Sequence, residues 1–314
     1  MIETQGPKPL RISGVWHNSF DDIIGNNPDK LRAAVTASFG PASLSGEPEE
    51  VEGLDPEAAK VLASVSQGFR LRDDSRALNL RINPQFKGKV VIAKKGSKPI
   101  DMGKGLTFTV VGPMNDEVLA LQAAHDEFLE KQKGKKSEAS LAAFTDTSVP
   151  NLSSVVVLAE VGGKRILFTG DARGDKVLEG LELVGLLKKD GKMHVDIFKC
   201  PHHGSKRNND PILFRRITAD HYVFSGNGEH GNPARETLEM LLGERGDEKY
   251  TVHLTYPIEE IDVARKAEEK KKGKPWSPKK QGLVAFFDEN PKFAKKVSIV
   301  DEKKPHLINL LDKM

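Results

Sequence analysis

Three short segments carry side chains that can bind a metal ion or move a proton. They are TGDA (169–172), PHHGS (201–205) and SGNGEHGNP (225–233). Asp171 offers an anionic oxygen, and His202, His203 and His230 offer imidazole nitrogens. Carboxylate and imidazole together suit zinc, manganese or iron. Gly170 and Gly204 let the backbone turn sharply beside these groups. The spacing is far wider than in a zinc finger, so the fold must bring the groups together. Each segment also has a bland reading. An Asp after Thr-Gly caps a turn, a His pair serves as a helix cap or a polar core group, and His230 before Gly-Asn-Pro is a loop residue. The argument for chemistry rests on the combination and its order.

The elements that must position these groups are legible around them. SSVVVLAEV, Gly162-Gly163 and KRILFTGD read as strand, two-residue turn and strand, a strong hairpin signal. A helix is expected from about Lys176 to Lys188. MHVDIFKC reads as a strand, DPILFRRI as a short helix and HYVFSGN as a strand. NPARETLEMLL reads as a helix with Asn232 as cap and Pro233 at its first position. YTVHLTY, GLVAFFD and KVSIVDE read as closing strands. Upstream, KVVIAKK (89–95) and LTFTVVG (106–112) flank the turn-like GSKPIDMGKG and are expected to form a hairpin. Pro56 opens a helix, residues 117–131 read as another, and 134–147 as a polar loop. Strands and helices alternate with hairpins mixed in, which predicts a layered α/β or α+β fold with a mixed sheet. Each of the three segments follows a strand, where an open sheet presents functional side chains.

Composition bounds the possibilities. The chain has 314 residues, 38% apolar and 30% charged, with a formal net charge of +3. That charge is too small to imply a nucleic-acid partner by itself. Cys200 is the single cysteine, so no intramolecular disulfide forms and a reducing compartment fits. The N-terminal residues lack an apolar signal core. No apolar run approaches about 20 residues, so no membrane span is expected. The expected location is cytoplasmic. Residues 265–280, RKAEEKKKGKPWSPKK, carry eight basic and two acidic residues. They read as a solvated basic surface loop. The sharper alternative is a basic flap near an anionic substrate, with Trp276 stacking on a base.

The order NLSSVVVLAEVGGKRILFTGDA, FKCPHHGSKRN, YVFSGNGEHGNPARETLEML resembles the metallo-β-lactamase superfamily. Within it, the sequence is similar to the hydrolase domain of bacterial DNA-uptake (competence) channel proteins and their stand-alone relatives. The resemblance covers about residues 106–242, with VVGPMNDE (110–117) matching the family's Gly-Pro turn. It implies an αββα sandwich over a single domain, 1–314, with two zinc ions per site and manganese or iron as alternatives. Asp171 matches the Asp that bridges the two metals. His202 and His203 match the next ligand segment, and His203, directly before Gly204, is the favoured ligand. Asn151 matches the family's Asn ahead of the hairpin. His230 matches the first His of the last segment, and Asn232 stands where its second His would be. Asn151, His230 and Asn232 are therefore the candidate substrate contacts, with Asp171, His203 and His230 the candidate catalytic groups. The implied activity is metal-dependent hydrolysis of an anionic small molecule or nucleic acid, with phosphodiesters favoured.

The sequence departs from the family at its main metal loop. No His-x-His-x-Asp-His motif is present, and no two of the nine histidines are separated by one residue. Asp220-His221 lacks the upstream histidines, and His125-Asp126 lies in an expected helix. The leading strands of the N-terminal half are missing too, which points to a chain that begins late, because point decay of a site leaves strands in place. The chain as written is expected to be inactive or weakly active, with doubtful metal occupancy. The alternative function is a non-catalytic binding module on the same scaffold.

Overall fold

Eight strands lie side by side in chain order. They are β1 (Ile100–Gly103), β2 (Leu106–Gly112), β3 (Val156–Val161), β4 (Lys164–Phe168), β5 (Met193–Lys199), β6 (Ile217–Phe224), β7 (Thr251–Leu254) and β8 (Val297–Ile299). The computed structural model describes residues 12, 14–18, 70–119, 123, 154–301 and 304–310. The chain divides into two compact units: 1–92 with 113–155, and 93–112 with 156–314. The second unit holds the sheet.

The first half of the sheet is antiparallel and the second half parallel. β1 to β4 pair antiparallel in sequence, and β4 to β8 pair parallel. Gly162 (φ 56°) and Gly163 (φ 78°) close the β3–β4 hairpin with two positive-φ residues, as the right-handed twist of paired strands favours. Parallel neighbours need crossovers. These are helices α1 (Gly174–Leu183), α2 (Pro211–Arg216), α3 (Arg235–Arg245) and α4 (Ile258–Lys271), followed by α5 (Pro278–Gln281), α6 (Leu283–Glu289) and α7 (Pro291–Ala294). Right-handed crossovers along one direction of a sheet place their helices on one face. That face holds the core. Val195, Phe198, Tyr222, Phe224, Val252 and Leu254 meet Leu181, Phe214, Leu238, Leu241, Phe286 and Phe293. Phe198, Phe214 and Tyr222 contact one another edge to face, and each fully buried ring contributes about 1.5–3 kcal/mol. His221 and His253, which alternate with Tyr222, Val252 and Leu254, stay outside this cluster.

Several elements differ from expectation. KVVIAKK forms no strand; Ala93 makes only an isolated bridge. β2 pairs instead with Ile100–Gly103, inside the stretch read as a turn, through Lys104 (φ 54°) and Gly105 (φ 79°). GLVAFFD is helix α6 rather than a strand. The backbone amides of Leu283 and Val284 donate to the Asp262 carboxylate at 2.8 and 3.1 Å. That distant side chain caps the helix start. The basic stretch 265–280 is not a loop: α4 runs through Lys271 and α5 begins at Pro278. Arg265 is buried in it, with its guanidinium 5.5 Å from the Trp276 ring centroid, within cation–π range. The helix after His230 starts at Arg235, with Ala234 rather than Asn232 at its cap and no side-chain cap bond. The peptide before Pro233 is cis. The α/β character with a mixed sheet stands. Among the described residues, no helix is long and apolar enough to cross a membrane.

The first unit is described mainly at 70–92. A helical segment spans 70–77. Asn83 (φ 47°) donates to the carbonyls of His17 and Lys89 and accepts from the His17 amide. Asn18 exchanges two 2.8 Å bonds with the Val91 backbone. The Asn151 candidate, most of the expected helices at 56–78 and 117–131, and the 134–147 loop lie outside the described residues.

Candidate functional site

Parallel pairing of β4, β5 and β6 puts the ends of all three strands on one edge. The TGD, PHHG and SGNGEHGNP segments leave from those ends. This is why groups far apart in sequence meet. His203 Nε2 lies 3.5 Å from Asp171 Oδ1. His203 Nδ1 lies 3.1 Å from the Ser225 hydroxyl. With Nδ1 occupied by Ser225, Nε2 is the nitrogen facing the carboxylate.

The loop that carries the two histidines is strained and tied down. His202 (φ 46°) and His203 (φ 55°) are both left-handed, as is Gly204 (φ 86°). Left-handed backbone costs a non-glycine residue of order 1–3 kcal/mol, and persists where surroundings over-determine it. Here the His202 amide donates to Gly170 O at 3.0 Å, and Ser205 N donates to His202 O at 2.9 Å. Asn209 Nδ2 donates to the carbonyls of Pro201 and Ser205. The Ala234 amide donates to Gly204 O at 3.0 Å. Gly204 also sits where a Cβ would lie 2.5 Å from Phe224 Cδ1, so the loop presses directly on the core.

Lys199 ties the Asp171 turn to the histidine loop. Its ammonium donates to Gly170 O at 2.9 Å, and Thr169 donates its hydroxyl to Lys199 O at 2.7 Å. Asn208 Nδ2 donates to Asp171 O at 3.1 Å. Burial lowers the Lys199 ammonium below its ordinary value, against the pull of Asp171. Burial likewise lowers His202 and His203, with Lys199 adding to the effect and Asp171 opposing it. One carboxylate thus faces a lysine and two histidines, with His230 close enough for its charge to act on His203.

The structure therefore brings Asp171, His202, His203 and His230 to one edge. His230 is exposed (φ 55°), whereas Asn232 is 8% exposed. The carbonyl of Asn232 accepts from the Gly228 amide at 2.8 Å. Sequence reasoning missed Lys199 and Ser225. Ser225 opens the third segment and Lys199 lies two residues before the second, where strand alternation in β5 was the available signal. Among the described residues, no group of three or more His, Cys, Asp or Glu is arranged to hold a metal ion.

No family model matches the chain. Over 75 residues it is 33% identical to microtubule-associated protein 1A of Rattus norvegicus and to that of Mus musculus. The alignment covers 23% of this chain and 3% of each relative. The chain thus spans a small part of the curated relatives it matches, and the likeness assigns no activity.

Proposed function

We propose that the edge formed by residues 169–233 is a hydrolase site of the metallo-β-lactamase kind, acting on an anionic, phosphodiester-like substrate. The observation that supports this most is the 3.5 Å approach of Asp171 to His203 from the ends of adjacent parallel strands. Asp171 and His203 are the residues that would hold a divalent ion, zinc or alternatively manganese or iron, with His202 beside them. When bound, such an ion lowers the pKa of a water ligand and polarises the scissile group. Ser225 orients the His203 ring, and Lys199 holds the Asp171 turn and adds positive charge. His230 is exposed and can donate a hydrogen bond to a substrate oxygen. Two convergent donors fall short of the three or four that hold zinc tightly, so these residues alone bind an ion weakly. That shortfall favours, as a second reading, a binding module without catalysis on the same scaffold.

Elemental analysis and a phosphodiesterase assay separate the two. The purified chain is expected to hold clearly less than one metal per molecule. With added manganese it should hydrolyse bis(4-nitrophenyl) phosphate slowly, and Asp171→Asn should abolish that turnover. Equal turnover by the wild type and Asp171→Asn refutes the hydrolase assignment. No metal-dependent turnover at all favours the binding module. A full complement of tightly held metal refutes the half-site description.

A further inference from the structure

Three histidines away from this edge form a continuous row. His221 lies on β6 and His253 on β7, two neighbouring strands. His221 Nδ1 is 3.0 Å from His253 Nε2, and His253 Nδ1 is 2.8 Å from His306 Nε2. His306 belongs to the segment after β8. Ser298 of β8 pairs with His253, and the Val300 amide donates to Leu254 O. His306 thus meets the sheet at His253. His253 is 5% exposed, whereas the neighbouring Leu307 is 82% exposed. A buried ring thus meets a segment in which His306, Ile308 and Leu310 are half-buried.

Proton counting limits what the row can carry. A neutral imidazole has one N–H and one acceptor nitrogen. Three neutral rings fill the two inter-ring contacts with two protons and keep the third on an outer nitrogen. One further proton fits on the other outer nitrogen with both contacts intact. A second must set two N–H groups face to face and break a contact. The row therefore tolerates one positive charge and not two.

Charged groups surround the His221 end of the row. Burial lowers the His221 imidazole below its ordinary value, with Lys164 on β4 adding to the effect and Asp220 on β6 and Asp196 on β5 opposing it. Lys164 is itself paired with Asp196 at 2.6 Å, and His194 of β5 lies 3.4 Å from Asp220. β8 offers the neutral Ser298 opposite His253. In the terminal segment, Lys304 and Asp301 pair with each other at 3.6 Å. The first added proton thus sits on an outer nitrogen of the row, and the next parts His253 from a neighbour.

We infer that the His221–His253–His306 row is a pH-sensitive clasp that holds residues 304–310 to the sheet near neutrality and releases them in mild acid. Burial, with the charges of His221 and His306, pushes the His253 imidazole down to about 4. A released imidazole titrates near 6.5. The open form therefore binds protons more readily, so the clasp is firm above about pH 6.5 and loosens as pH falls towards about 4. For a single group with those two values, the open-to-closed ratio rises roughly 30-fold between pH 8 and pH 5.

The clasp is tested with a nitroxide on Leu307→Cys in the full chain, since Cys200 is buried. The electron paramagnetic resonance spectrum should show an immobile label at pH 8 and a growing mobile fraction towards pH 5. Adding His306→Gln should give a mobile label already at pH 8, with circular dichroism unchanged. A label equally immobile at pH 8 with and without His306→Gln overturns the proposal. So does a wild-type spectrum that is the same at pH 8 and pH 5.

Discussion

Gly204 joins the histidine loop to the core, and replacing it with alanine separates two costs. Its φ is 86°, and a Cβ there would lie 2.5 Å from Phe224 Cδ1 and 3.0 Å from Pro233 Cβ. Phe224 is fully buried, so it cannot swing aside cheaply. Gly231 is a matched control: its φ is 83°, and a Cβ there meets nothing within 4 Å. Gly231→Ala should therefore cost the backbone penalty alone, about 1–2 kcal/mol. Gly204→Ala should cost that plus overpacking of about 1–3 kcal/mol, or about 2–5 kcal/mol in total. Urea unfolding followed by tryptophan fluorescence and circular dichroism would measure both. At about 2–4 °C per kcal/mol for a unit of this size, the two variants should also differ visibly in thermal midpoint. Equal losses in the two variants would refute the claim that the loop is wedged against Phe224. A smaller loss at Gly204 would refute it more strongly.

The remaining predictions concern charge and orientation. Asp196 accepts from the Arg165 amide at 2.8 Å and from Lys164. Burial pushes its carboxyl up, but these two contacts more than offset that and hold it below its ordinary value. Asp196→Asn keeps an oxygen for the Arg165 amide but loses the carboxylate's charge, and should therefore cost about 1 kcal/mol at pH 7. The difference from wild type should persist above about pH 4 and vanish as pH falls through the lowered value. Unfolding curves at pH 7 and pH 3 check this, and an equal loss at both would count against it. Ser225→Ala removes the partner of His203 Nδ1. Calorimetric titration with zinc should then show binding weakened about 10-fold or more, whereas unchanged affinity would mean that Ser225 does not orient the ring.

Local signals were legible wherever local chemistry decided the structure. Gly162-Gly163 marked a hairpin because positive φ at both positions is a property of the residues themselves. Strands β3 to β7 followed from short β-branched and aromatic runs between turns. The misread elements share a different cause. GLVAFFD is a continuous apolar run, which strand and helix accommodate equally. Asp262, about twenty residues earlier, supplies the cap that makes it a helix. The basic stretch looked solvated because its charges dominate the composition. Its order depends on Arg265 lying over Trp276 and donating to Gln281 O at 2.6 Å. KVVIAKK and the Ile100–Gly103 segment were competing partners for β2, and the turn at Lys104-Gly105 selected the nearer one.

The candidate site divides the same way. Sequence alone marked Asp171, His202, His203 and His230 as chemically capable, and it placed each just after a strand. It also determined that any site they form must be assembled by the fold, because their spacing is too wide for a local chelate. Which of them meet was decided by the parallel pairing of β4, β5 and β6, since a strand's neighbours depend on contacts across the whole sheet. Ser225 and Lys199 entered the site through that pairing. The row of His221, His253 and His306 arose from it as well: each residue is unremarkable in its own segment, and only strand register and the returning terminal segment put the three rings in line.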